Sequence, residues 1–300
     1  MTRVETITVP VREGRSLAVS VAGPRDGSLL LVHAGSPGSR VLYRPQIEAA
    51  AASGFRMVSY DRPGYGQSPP QPGRTVAAAA NDALAITEAL GVERFTTWGV
   101  SGGGPCALAC AALLPDRVIA TCVFASLGPF DVPDLDFMSG RSDELRQEVK
   151  LFFHDPDAAR QKHREDAARQ LPEMSDQSFW RARWGDRAGT SPAHSQPLAE
   201  HLAGLIREAA RQGDEGWWED WASYLSPWGF DLNDIQCPVQ LWHGDHDLAV
   251  PIAHGQWISE HLPNVETHFL TAEDHSTIEI DHYTEAIEWL REQNTANDTR

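Results

Sequence analysis

Three residue types that together can attack a carbonyl group stand far apart in this chain: Ser101, Asp247 and His275. Ser101 lies in Gly99-Val100-Ser101-Gly102-Gly103, a Gly-x-Ser-x-Gly pattern. The stretch before it, FTTWGV, reads as a strand, and residues 106–114, CALACAALL, read as a helix. A serine held in a sharp strand-to-helix turn needs small neighbours, because a Cβ two residues to either side would strike the turn. Its hydroxyl then stands clear at the end of a sheet. The Gly102 amide points along the start of the helix, where unpaired N–H groups favour negative charge.

A serine hydroxyl is a poor nucleophile until a base takes its proton, and the base needs an orienting acid. In strand-turn-helix sites of this kind the chain order is Ser, then Asp or Glu, then His, with the partners in loops after later strands. The strand VQLWHG runs into Asp245-His246-Asp247, and the strand THFL is followed by Thr271-Ala272-Glu273-Asp274-His275. His275 is therefore the expected base and Asp247 the expected acid. His268 falls inside the strand and His282 on the following helix. Asp245 competes with Asp247 but suits a role in tying the turn's amides. Asp131 is a third, remote choice for the acid. The cluster His243, Asp245, His246 and Asp247 suggests a metal only weakly, since neighbours on one turn rarely converge and no second cluster matches it. Acyl transfer also needs two N–H donors aimed at the developing oxyanion. Gly102 supplies one, and Ser36, in the Gly/Pro-rich loop after the third strand, is the choice for the other.

The elements that must position these groups follow from periodicity. Residues 2–9 and 16–22 alternate polar and apolar and read as an antiparallel hairpin turning at Glu13-Gly14. Residues 29–33, 55–60, 118–124 and 239–244 are apolar runs of the kind covered on both faces of a sheet. Helices are expected over 43–52, over 76–90 with Thr75 as cap and Gly91 as stop, near 253–262 and near 281–293, leaving NTANDTR as a polar tail. Alternation breaks off from about 128 to 235, where 142–154, 198–209 and 217–225 carry apolar residues at helical spacing. A mostly parallel sheet with helices on both faces is expected. The expected division is a core of 1–127 and 236–300, interrupted by a helical insertion at 128–235.

Composition narrows the function. The chain has 300 residues, 41% hydrophobic, with 42 acids against 25 bases and a net charge of −17. Such a surface repels phosphate backbones and anionic bilayers, so neither nucleic acid nor membrane is an expected partner. No run approaches 18 apolar residues, and the start, MTRVETITVP, lacks the apolar stretch of a signal peptide. A cytoplasmic protein is expected, monomeric or homodimeric. The four cysteines, Cys106, Cys110, Cys122 and Cys237, all lie in apolar surroundings and read as small buried hydrophobes.

With these motifs in place, HAGSPGS at 33–39, YDRPGYGQS at 60–68, WGVSGGG at 98–104, HGDHDLAVP at 243–251 and EDHS at 273–276, the chain resembles the α/β-hydrolase family. The resemblance is to the group with a helical cap inserted after the sixth strand, and it covers the whole chain except the cap. It implies an eight-stranded sheet, a triad of Ser101, Asp247 and His275, and Ser36 as the second oxyanion donor. It also implies that the Asp61–Ser68 loop is structural and that no cofactor is needed. One position departs from the pattern. The family has His directly before the Gly of the oxyanion loop, where this chain has Ala34, with His33 one step earlier as a possible brace.

The expected activity is hydrolysis of a small acyl compound, a carboxylic ester or lactone. Two rivals stand beside it. One is a prolyl-type aminopeptidase, with Glu215, Glu219 or Asp220 anchoring a free amine. The other is a non-hydrolytic enzyme or ligand receptor on the same fold. Six of ten tryptophans, Trp180, Trp184, Trp217, Trp218, Trp221 and Trp228, lie in the insertion, where they are expected to hold its helices to the sheet and in part to roof the substrate cleft.

Overall fold

The computed structural model describes residues 3–130 and 132–298. Eight strands form one sheet: β1 (Val4–Pro10), β2 (Ser16–Ala22), β3 (Ser28–His33), β4 (Phe55–Tyr60), β5 (Phe95–Val100), β6 (Val118–Phe124), β7 (Val239–Gly244) and β8 (Val265–Leu270). Their order is β1-β2-β4-β3-β5-β6-β7-β8. β2 runs antiparallel to both its neighbours, and every later pairing is parallel.

The continuous apolar runs are explained by two-sided burial. On β3, Leu29 and Leu31 enter one core, while Leu30 and Val32 enter another on the opposite face. The first core takes helices α2 (Ala78–Ala89), α3 (Gly104–Leu113) and α9 (Ala253–His261), and the second takes α1 (Arg44–Ala52), α10 (Thr277–Ile280) and α11 (Tyr283–Asp298). All four cysteines are buried and unpaired.

Between β6 and β7 the chain runs through α4 (Asp143–His154), α5 (Pro156–Met174), α6 (Gln177–Trp184), α7 (Gln196–Ala209) and α8 (Glu215–Tyr224). This helical segment docks on the sheet layer through apolar contact and ion pairs together. Trp184, Ala193, Leu198 and Ala199 pack with Tyr43 and Ile280, and Tyr224, Leu225 and Trp228 join the main core. Arg40 bridges Asp61, beside the sheet, to Glu208 on α7. Among the described residues no helix is long and apolar enough to cross a membrane.

Four local expectations need correction. Thr75 does not cap α2; the helix starts three residues later, with Ala77 at its N-terminus and no side-chain cap. The last helix is two: α10 covers 277–280, and α11 runs on through most of the stretch read as a polar tail. Asn294 donates to Ser28 Oγ at 2.6 Å and Arg94 donates to Asn297, so polar side chains tie this end to the sheet. α5 and α6 have no counterpart in the sequence reading. On α5 only Ala159, Ala167 and Leu171 are buried, too small and too few to give an apolar stripe. Asp131 lies outside the described residues.

Candidate active site

The β5–α3 junction shows why glycine flanks Ser101. Ser101 has φ of 53°, a left-handed conformation that an L-residue adopts only under constraint. A Cβ on Gly99 would collide with the Gly103 carbonyl, and one on Gly103 would collide with the His33 carbonyl. Tyr224 from α8 donates to the Gly102 carbonyl at 2.8 Å and fixes the turn from above.

His275 follows β8 and Asp247 follows β7, so parallel pairing of these strands brings their loops together. His275 Nδ1 donates to Asp247 Oδ2 at 2.7 Å. Asp247 Oδ1 accepts from the amides of Ala249 and Val250 at 2.9 and 2.8 Å. Three hydrogen bonds, one on Oδ2 and two on Oδ1, thus hold the charge and the position of this carboxylate. Burial would push the Asp247 carboxyl up, but the facing His275 and the Val250 amide outweigh it and hold the group below the usual range. Burial pulls His275 down, and the Asp247 charge overcomes this and raises it above the usual 6.5. With Nδ1 committed to Asp247, neutral His275 presents a bare Nε2.

Ser101 and His275 are walls of one cavity of about 210 Å³ between the sheet's carboxyl edge and the helical segment. Ser36 lines it too, and a Cβ placed on Gly102 would come within 2.8 Å of Ser36 Cβ, so the two loops meet beside Ser101. The structure therefore brings Ser36, Ser101, Gly102, Asp247 and His275 to one place. His268 stacks on Trp242 at 3.8 Å, His282 bonds Glu273, and Asp245 accepts from the Ala272 amide at 2.7 Å. His246 is largely exposed while His243 is buried and donates to the Val250 carbonyl, so the cluster on this turn diverges.

His33 does not brace the oxyanion loop. Its ring lies between Tyr60 and Cys110, and burial holds it neutral, at about 3. The brace is Arg62. Its guanidinium donates to the Ala34 carbonyl at 2.5 Å and the Gly35 carbonyl at 2.9 Å, and grips Asp220 of α8 through Nε and Nη2 at 3.2 and 2.6 Å. Arg74 also bonds Asp220. Tyr65 donates to Asp220 at 2.8 Å, so the 3.1 Å contact between Tyr65 and Ser36 is a bond donated by the Ser36 hydroxyl. Asp220 and Arg62 are 0% and 2% exposed, which makes this a water-free knot joining the Ser36 loop to α8. Sequence reading places the Arg62 loop and Asp220 separately but has no signal for their meeting.

The three acids considered as amine anchors are occupied elsewhere. Asp220 is neutralised by two arginines, Glu219 accepts from the Gly73 amide, and Glu215 pairs with Arg160. The roof of the cavity is mainly aliphatic: Leu198, Leu202, Leu205 and Ile206 of α7, with Met174 and Trp180. Of the six tryptophans in the segment only Trp180 lines it; Trp217, Trp218 and Trp221 surround a separate hollow within the helices.

A family model described as alpha/beta hydrolase fold matches residues 28–280. The chain belongs to the α/β-hydrolase family. It is an enzyme of the hydrolase class. Among α/β-hydrolase relatives, a non-heme chloroperoxidase of Streptomyces lividans is 29% identical over 82% of this chain and 84% of that one. A 3-oxoadipate enol-lactonase of Acinetobacter baylyi is 32% identical over 36% of this chain, a match spanning 40% of that protein's length. Of solved structures, a bromoperoxidase from Bacillus anthracis superposes with a TM-score of 0.71 at 19% identity, covering 95% of this chain and 99% of that one, a likeness of fold.

The raised His275 gives a prediction with a definite sign. With His275 as the expected base, which must be unprotonated to act, kcat/KM is expected to rise with pH through the His275 ionisation, with a midpoint above the reference value of about 6.5. The Asp247→Asn variant removes the charge that raises it, so activity falls by roughly 10³–10⁴-fold. A wild-type midpoint at or below 6.5 in a pH-rate profile contradicts this coupling.

Proposed function

We propose that the enzyme cleaves a small, mostly apolar carboxylic ester or lactone through an acyl-enzyme on Ser101. The observation that carries this reading is the cavity lined by both the constrained Ser101 and the Asp247-oriented His275. Ser101 Oγ attacks the carbonyl carbon as its proton passes to His275 Nε2. The oxyanion that forms is held by the amides of Ser36 and Gly102. The tetrahedral intermediate expels the alcohol, which takes the proton from His275. Water, deprotonated by the same imidazole, then attacks the acyl-enzyme, and collapse releases the acid and restores Ser101. Asp247 keeps the imidazole in the productive tautomer and stabilises its charged form. The partner is a small molecule and the chemistry calls on no cofactor. The helices between β6 and β7 act as the cap that sets substrate shape.

The aliphatic roof supports esters over amino-acid amides. Burial of apolar acyl surface contributes about 25 cal/mol per Å²; of the acids weighed as amine anchors, Asp220, Glu219 and Glu215 are already paired, and Glu279, which lines the cavity, accepts from Gln46. The curated relatives include a bifunctional esterase/perhydrolase of Acinetobacter calcoaceticus, 27% identical over 81% of this chain, which supports the ester reading by kinship. Apolar p-nitrophenyl esters are expected to exceed amino-acid arylamides by at least about tenfold in kcat/KM, a gap of roughly 1.4 kcal/mol. Steady-state kinetics on both panels test it. A preference for arylamides transfers the assignment to an aminopeptidase.

A further inference from the structure

The charges around the cavity are one-sided. Among the described residues no arginine and no lysine lines it. Arg40 and Arg62 stand next to lining residues but are already neutralised, Arg40 by Asp61 and Glu208 and Arg62 by Asp220. Arg141 acts on Asp247 and does not line the cavity. Two of the lining histidines, His33 and His201, are held neutral by burial, at about 3 and about 4. Besides His275, the lining side chain left to carry a charge is Glu279 of α10. It stands four residues after His275, and part of its surface is open. Its Oε1 accepts from Gln46 Nε2 at 2.9 Å, an uncharged donor, and no described residue forms an ion pair with it. A molecule in the cavity therefore lies beside a carboxyl group with no cation to balance it, under a mainly aliphatic roof.

We propose that Glu279 is a charge filter, which makes the enzyme take uncharged esters or lactones and reject those whose acyl chain ends in a carboxylate. The proposal rests on Ser101 being the nucleophile of an ester hydrolase. A carboxylate entering the cavity loses its water to aliphatic walls and gains no counter-charge. It also meets the like charge of Glu279, and in a site shielded from water that repulsion is far stronger than in bulk solvent. Burial pushes the Glu279 carboxyl up to about 7, so it is ionised at mildly alkaline pH, where His275 is also free to act as base. An uncharged end of the same shape, such as a carboxamide, meets neither penalty in full. Gln46 keeps the Glu279 carboxyl in place, and its own amide is too weak a partner to cancel a full charge. Glu279 is thus a specificity residue, separate in role from the Asp247–His275 pair.

The test compares monomethyl esters of linear dicarboxylic acids of four to eight carbons with the same esters whose free carboxylate is replaced by a carboxamide, at mildly alkaline pH. The carboxamide-ended ester is expected to exceed the carboxylate-ended one by about 100-fold in kcat/KM. Glu279→Gln keeps the shape and the bond to Gln46 while removing the charge, and should lower that ratio by about tenfold. Glu279→Ala should lower it likewise. The ratio within each variant is read, so general loss of activity does not imitate the effect. A wild-type ratio near one at every length overturns the filter. A large ratio unchanged in both variants also overturns it, since the apolar walls alone would then account for the rejection. In either case hydrolysis of the carboxamide-ended esters leaves the hydrolase reading standing. If no ester turns over, the hydrolase reading fails, and the ratio is taken from the dissociation constants of the two esters by titration calorimetry. Equal constants, or no binding of either ester, then overturn the filter.

Discussion

Ser101→Ala is expected to lower kcat by roughly 10⁶-fold and to abolish covalent labelling by a fluorophosphonate. The size follows from what remains. Without Oγ no acyl-enzyme forms, and His275 and Asp247 have nothing to activate, so the residual rate comes from oxyanion stabilisation and binding alone, about 10³–10⁴ over water. The fold is expected to survive, since alanine removes one oxygen from a partly accessible position. The constraint at φ 53° remains, because it is imposed by the glycines and the Tyr224 bond rather than by the hydroxyl. Intact-mass spectrometry after phosphonate treatment, paired with ester turnover, checks both parts. Turnover within tenfold of the wild type would remove Ser101 from the mechanism.

The second large effect falls on a residue remote from the reacting atoms. Asp220→Asn is expected to destabilise the protein by about 3–5 kcal/mol, because it leaves two buried guanidinium groups facing each other without a counter-charge. For a chain of 300 residues that is a fall in melting temperature of roughly 5–8 °C. Arg62 and Arg74 are 2% and 8% exposed, so water cannot replace the lost partner. Arg62 also holds the carbonyls of Ala34 and Gly35, so a displaced guanidinium lets the Ser36 amide drift. Ester turnover below the melting transition should therefore fall by about 10–10³-fold, the order expected for losing one oxyanion donor. Calorimetry and kinetics on the same sample separate the two consequences. A variant that melts within 2 °C of the wild type would show that the knot does not bear on stability.

Much of this was legible because parallel strands make long-range position a matter of register. The strand β5 and the glycines around Ser101 announce a turn that no other residue type fits. The loops after β7 and β8 must lie side by side once those strands pair, so Asp247 and His275 could be brought together from order alone. What stayed hidden depended on contacts between elements far apart in sequence. Asp220 and Arg62 are 158 residues apart; the one reads as a candidate amine anchor and the other as part of a structural loop, with nothing to pair them. Glu279 falls before the helix expected near 281–293, and only the structure shows its carboxyl lining the cavity and accepting from Gln46 of α1. α5 escaped notice because alanines, not large apolar residues, make its contacts. Its capping signal, Asp155 before Pro156, was present: Asp155 accepts from the Ala158 amide at 3.0 Å.

The knot around Asp220 and the bridge from Asp61 through Arg40 to Glu208 pin α8 and α7 to the loops after β3 and β4, beside Ser36. Swinging those helices outward would strand buried charges and pull the Ser36 loop out of register. α7 and α8 are therefore expected to stay with the sheet through turnover instead of swinging as a hinged lid. Selection among substrates then falls to the shape held between these two helices and the sheet edge, with no closing step for substrate binding to drive.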